Sequence, residues 1–288
     1  MSEPRISQDV CADLPRSPQW VRAAKLSALA VALALGLAVT VLADRTHLKP
    51  GFNLFSPDQD VAIGRKSAEE AEKQLPMLRD ARVDNYLDDL GHRLAAHVPA
   101  GTPSYPFQYK CVNDMAVNAF ALPGGFIYVN RGAIELADNE AQLTGVMAHE
   151  TSHVVLRHGT NQASKQYLAQ APLAILGGMI GSNSIGSILA QAGASFGLNA
   201  VFLKYSRTDE TQADVMGTQI LYDTNYDPRA MAQFFEKLQA ESKNRPIEFF
   251  SDHPNPDRRV ERVQEEVDNL GGPPANYKKD SSEFQEIK

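Results

Sequence analysis

Cysteine is nearly absent from this chain, with two among 288 residues. A run of 18 residues without charge, from Leu26 to Ala43, separates Cys11 from Cys111. With that run across a bilayer the two thiols lie on opposite sides, so no internal disulfide braces the fold, which must rest on an apolar core or a metal. Basic charge is scarce too: 28 Lys and Arg against 35 Asp and Glu leave a net charge of −7. That excludes the electrostatic footprint of a nucleic-acid partner, and none is expected. A second clean apolar run is missing. From Gln166 to Leu203 there are 38 residues without charge or histidine, but Gly, Ser, Asn and Gln break up the apolar ones. Two readings of that stretch stand: amphipathic helices covering the domain, or a flap facing membrane or substrate.

What is present is enough for one sizeable core, with 43% hydrophobic and 22% charged residues. The Leu26–Ala43 run spans roughly 27 Å as a helix, which just crosses a bilayer. Arg16, Arg22 and Lys25 precede it. The expectation is therefore a cytoplasmic arm over 1–25, a transmembrane anchor over 26–43, and a main domain over 46–272 on the exported, periplasmic side of the cell membrane. The alternative is a leader cleaved before Asp44, where Val41 and Ala43 fit a small-residue site, giving a protein secreted to the periplasm. The 25-residue lead favours an uncleaved anchor. Residues 273–288, "PPANYKKDSSEFQEIK", read as a disordered tail.

Periodicity organises the rest. Ser56-Pro57 opens the first of two helices, and Leu87, Leu90 and Leu94 form one stripe of the second. "FQYKCVND" and "NAFALPGGFIYVN" read as short strands joined at Pro123-Gly124-Gly125. "DNEAQLTGVMAHETSHVVLRHG" follows as one helix, opened by Asn139 three residues before Gln142 and closed at Gly159. Later helices start at Asp227-Pro228 and at Asn255-Pro256. The fold class is α+β, mainly helical, with a small sheet before the "HETSH" helix.

In that helix His149 and His153 stand four residues apart, on one face and one turn apart, so both imidazoles can aim at a single ion. Glu150 sits beside that face, placed to take a proton from a metal-bound water without ligating the metal itself. The flanking Val146, Met147, Ala148, Val154 and Val155 make the helix buried, where unpartnered histidines and a glutamate cost several kcal/mol. A zinc ion, one per chain, supplies the partner. A catalytic zinc wants three protein ligands. The best third candidate is Glu210 in "YSRTDETQADVMGTQIL", where Glu210, Ala213, Asp214 and Gly217 share one helical face. There Asp214 can accept a hydrogen bond from a ligand histidine. His158 reads as a charge at the helix C-terminus.

"NAFALPGGFIYVN", "HETSH", "ETQAD" and "HPNPDRR", in that order, resemble the zinc metalloendopeptidase family of the CaaX prenyl protease and the bacterial envelope quality-control proteases. The likeness covers roughly residues 52–270. It implies a zincin-like (gluzincin-type) domain with His149, His153 and Glu210 as zinc ligands, Glu150 as the base and Asp214 as the aspartate behind a ligand. It also implies that His253 approaches the metal or the oxyanion, that Arg259 joins it there, and that Asn118 lies on the strand beside the cleft. From the residues alone His253 reads as an exposed loop histidine. Substrate would lie extended along Asn118, Ala119 and Phe120; alternatively Asn118 organises the turn before that strand. Two departures limit the likeness. One apolar segment cannot build the prenyl protease's membrane chamber, so a prenylated-peptide substrate is not expected. Only 18 residues follow Leu270, so no tetratricopeptide partner domain is expected. The implied function is zinc-dependent cleavage of unfolded or misfolded envelope proteins; the alternative is a non-proteolytic, membrane-anchored, zinc-stabilised binding or chaperone-like protein.

Overall fold

The structure is a computed structural model that describes residues 45–176, 204–243, 246–254 and 258–288. The expected arm and anchor, most of the uncharged stretch and the Asn255-Pro256 helix start lie outside the described residues. Among the described residues no helix is long and apolar enough to cross a membrane.

The chain is mainly helical with a three-stranded sheet. Helix α1 (Pro57–Gln74) starts in a reciprocal cap: Gln59 N–H donates to Ser56 Oγ at 3.2 Å and Ser56 N–H to Gln59 Oε1 at 2.8 Å. Helix α2 (Ala81–Ala95) is capped by Asp80 and buries Leu87, Leu90 and Leu94 completely. Strands β1 (Gln108–Val112), β2 (Ala119–Leu122) and β3 (Phe126–Asn130) lie in the order β1-β3-β2, with β1 parallel and β2 antiparallel to β3. The turn between β2 and β3 needs its glycines. Gly124 has φ +75°, and a Cβ there would stand 2.4 Å from Val61 Cα of α1. Helix α3 (Arg131–Leu136) follows β3 directly.

Helix α4 (Glu140–Val155) is buried along its whole length, packed against α2, β2, α6 (Arg207–Asp223) and α7 (Ala230–Glu241). Small residues let its neighbours close in: a Cβ on Gly145 would lie 2.7 Å from Met231 Cα of α7, and one on Gly217 of α6 3.3 Å from His149 N. Three of the N–H groups left free at the start of α4 find partners. Asn139 Oδ1 accepts from Gln142, Asp280 Oδ1 from Glu140 at 3.1 Å, and the Lys279 carbonyl from Ala141 at 2.9 Å.

Those last contacts correct the expected disordered tail. Residues 278–288 pair with Tyr226, form helix α10 (Ser282–Ile287), and bury Phe284 completely in the core. One aromatic anchor and a salt bridge from Lys278 to buried Glu140 (2.7 Å) outweigh a polar composition. Two helix boundaries also differ. The "HETSH" helix stops at Val155, because Arg157 adopts φ +59° and Gly159 already belongs to α5 (His158–Leu176). Helix α7 starts at Ala230, with Asp227 holding the preceding turn by accepting from Arg229 N–H. Short helix α8 (Phe249–Asp252) and helix α9 (Arg259–Asn269) complete the described elements.

Candidate metal centre

Helix α4 presents His149 and His153 from successive turns, and their Nε2 atoms lie 3.1 Å apart. Helix α6 brings Glu210, whose carboxylate oxygens stand 3.4 Å from each of those nitrogens. The residue after α8 adds His253, with Nδ1 3.0 Å from Glu210 Oε1 and 3.4 Å from His149 Nε2. One donor atom from each of the four lies within 4.8 Å of the others, and all four side chains are buried. His253 is thus no exposed loop histidine. Its ring stacks on Phe249 at 4.3 Å between centroids.

The electrostatics ask for positive charge. Glu150, Glu210 and Asp214 are three buried carboxyl groups, and Arg259 is the buried guanidinium among them. Burial would raise Glu210, but His253 and His149 outweigh it and hold the carboxyl well below its ordinary range. Burial lowers His149, yet Glu210 and Asp214 carry it above its usual value; His153 is depressed well below its own, chiefly by burial. Lone pairs of several imidazoles converging beside a carboxylate repel one another unless a proton or a cation sits between them, and the His₂Glu set with an additional His suits zinc. The donor set fits the metal.

Glu150 faces the same space but ligates nothing. Both of its oxygens are buried without a hydrogen-bond partner, with His253 Nε2 3.5 Å from Oε1. Asp214 Oδ1 lies 3.1 Å from His149 Nδ1, an ion-pair distance without hydrogen-bond alignment. Arg259 spans two carboxylates: Nε donates to Asp214 at 2.7 Å and Nη2 to Glu210 at 2.9 Å, its guanidinium lying 3.9 Å from the centre of the Phe235 ring. Asn118 is buried beside this assembly. Its Oδ1 accepts from Ala119 N–H at 2.9 Å, and the preceding Val117 carbonyl accepts from Phe249 N–H at 3.3 Å, tying the start of β2 to the segment that carries His253. Ala119 and Phe120 follow on β2, an outer strand of the sheet.

Two residues escaped the sequence reading. Tyr205 stacks on His153 at 3.8 Å; no motif marks it. His158 is no helix-end charge: it is buried, its pKa lowered chiefly by burial, with Nδ1 2.9 Å from His153 Nδ1. The left-handed residue between them folds it back, and nothing in the spacing reveals that turn. His92 and His97 are exposed and bond only carbonyls of their own helix or acids on it.

Residues 81–267 match peptidase family M48. The beta-barrel assembly-enhancing protease of Escherichia coli K12 is 31% identical over 253 residues, covering 82% of this chain and 50% of that protein. The mitochondrial metalloendopeptidase OMA1 of Schizosaccharomyces pombe is 29% identical over 186 residues, 64% of this chain and 52% of its own. Metalloprotease LoiP of Escherichia coli is 30% identical over 166 residues, 56% and 63% respectively. The chain spans about half the length of the first of these relatives.

Proposed function

The chain belongs to peptidase family M48, and on that premise we propose that it is a zinc-dependent endopeptidase acting on unfolded or damaged proteins of the cell envelope. His149, His153 and Glu210 would hold the ion, with His253 beside them. The chemistry supplied there by a bound zinc would be a more acidic water and a polarised scissile carbonyl.

The remaining chemistry belongs to the protein. Glu150 takes the proton of the attacking water on a carboxylate oxygen and returns it to the leaving amine, a role that needs an unligated carboxylate beside the reacting atoms. His253, whose Nε2 faces Glu150, donates toward the oxygen on which charge develops. Asp214 orients His149, and Arg259 orients both Asp214 and Glu210, so its two bonded nitrogens act as positioning groups. Substrate backbone adds to the outer edge of β2 along Ala119 and Phe120, with Asn118 setting the start of that edge. Residues 26–43 anchor the chain, single-pass, with this domain on the periplasmic side; a cleaved leader gives the secreted form.

The single observation that carries this reading is Glu150, wholly buried next to the donor cluster with neither oxygen satisfied. A structural metal site has no use for it. The test is cleavage of an unfolded substrate, with and without chelator, measured beside zinc content. Glu150→Gln should keep about one zinc per chain and lose roughly 10²–10⁴-fold in rate. Undiminished cleavage by that variant removes Glu150 from its role, and zinc without any cleavage in the wild type supports the non-proteolytic reading instead.

A further inference from the structure

We infer that His158 is the positioning residue for His153, held in the one tautomer that leaves the His153 Nε2 lone pair free for a metal. The inference rests on the reading of the cluster as a metal centre. It starts from the geometry of two ring nitrogens: His153 Nδ1 and His158 Nδ1 lie 2.9 Å apart, so a single proton must sit between them. The other nitrogen of His153 faces His149 Nε2 at 3.1 Å and Glu210 Oε1 at 3.4 Å. A ligand imidazole presents a lone pair there, which puts its proton on Nδ1 and makes it the donor. His158 Nδ1 then accepts.

The far side of His158 agrees. Its Nε2 points at Gln212 Oε1 at 3.1 Å and has Asp209 Oδ1 at 3.9 Å. The carboxylate is an acceptor only, so it favours a proton on Nε2 whichever way the Gln212 amide is turned. The result is a one-way chain in which His153 donates to His158 and His158 to Gln212. Tyr205 limits rotation by stacking on the His153 face. His149 is oriented differently, by the anionic Asp214 that Arg259 holds in place. The two ligand rings therefore have one charged and one neutral support, and the neutral one adds no negative charge to the centre.

Local backbone geometry makes the contact possible. Along a continued helix a residue five positions after His153 would project well around the axis. Arg157 breaks the helix at φ +59°, and its side chain is pinned by Asp60, at 2.6 and 3.1 Å, and by the Phe55 carbonyl at 2.5 Å. The chain turns there, and His158, the first residue of α5, folds back onto His153.

The experiment measures Zn²⁺ affinity of the full chain by competition with a chelator, the visible spectrum of the Co²⁺-loaded protein, and the unfolding midpoint of the metal-free protein. His158→Phe keeps a ring of similar size but leaves the His153 N–H without an acceptor. It should weaken Zn²⁺ binding roughly 10- to 100-fold and alter the Co²⁺ bands. His158→Asn restores an acceptor oxygen near the Nδ1 position and should stay closer to wild type. Unchanged Zn²⁺ affinity in His158→Phe, or equal losses in the two variants, overturns the inference. If His158→Phe does not fold, Gln212→Leu decides by removing the acceptor at the other end of the chain; a weaker Zn²⁺ affinity supports the inference and an unchanged one overturns it. Absence of Zn²⁺ binding by the wild type defeats the metal-centre reading itself.

Discussion

Glu150 illustrates how one side chain ties composition to reactivity. Burial pushes its carboxyl up to about 8, with His253 opposing in part. The folded, metal-free protein therefore retains a proton that the unfolded chain releases near the ordinary value of 4.5. The sign follows: the folded state binds the extra proton, so its stability advantage is complete below that ordinary value and is lost as pH rises to about 8. Unfolding midpoints of the metal-free wild type should fall across this window more steeply than those of Glu150→Gln, which cannot ionise. Parallel profiles would mean that the carboxyl is not isolated from water as the structure has it. At this scale the "HETSH" spacing was legible, because i and i+4 share a helix face whatever surrounds them. The surroundings were not. That Arg259 spans Glu210 and Asp214, 49 and 45 positions earlier, or that His253 stands beside His149, 104 positions earlier, depends on segments that only the tertiary fold brings together.

At the scale of elements, local signals located starts better than stops. Ser56-Pro57 and Asn139 mark helix beginnings because capping is chemistry between near neighbours. The end of α4 was misread because Gly159 is the residue that ordinarily takes a left-handed turn, whereas here Arg157 does so. The strain at a non-glycine residue is offset by its buried ion pair with Asp60, a residue 97 positions earlier to which Tyr105 also donates. The strands were legible from alternation and the Pro-Gly-Gly break. Their order was not, since β1 pairs with β3 rather than with the strand that follows it. Gly145 shows what packing adds to helix propensity. Gly145→Ala improves the intrinsic helicity of α4 but drives a methyl to 2.7 Å from the Met231 backbone. Overpacking should win by about 1 to 3 kcal/mol of lost stability, read by urea unfolding. A gain in stability would show that α7 yields at no cost.

For the molecule as a whole, the described residues form a helical body in which distant segments converge on α4. Arg45 pairs with Asp223, and Thr46 donates to Glu266, so the first described residues are already docked on α6 and α9. The last segment docks as well, although Pro273 to Lys288 reads as polar and breaker-rich. Phe284 is its lone large apolar side chain to be fully buried, too sparse a signal for any compositional argument. Phe284→Ala should cost about 3 to 5 kcal/mol, measured as a shift in the unfolding midpoint. Retention of full stability would mean that the segment contributes little to the core.

That docked segment also dictates an order of events during biosynthesis. The N–H groups of Glu140 and Ala141 wait for acceptors at Asp280 and Lys279, and Glu140 itself waits for Lys278. On a translating ribosome, the helix bearing His149, Glu150 and His153 emerges about 140 codons before those acceptors. A nascent polypeptide that stops short of residue 278 therefore holds this helix by an incomplete set of contacts, and the donor cluster gains its full support only when those acceptors have been made.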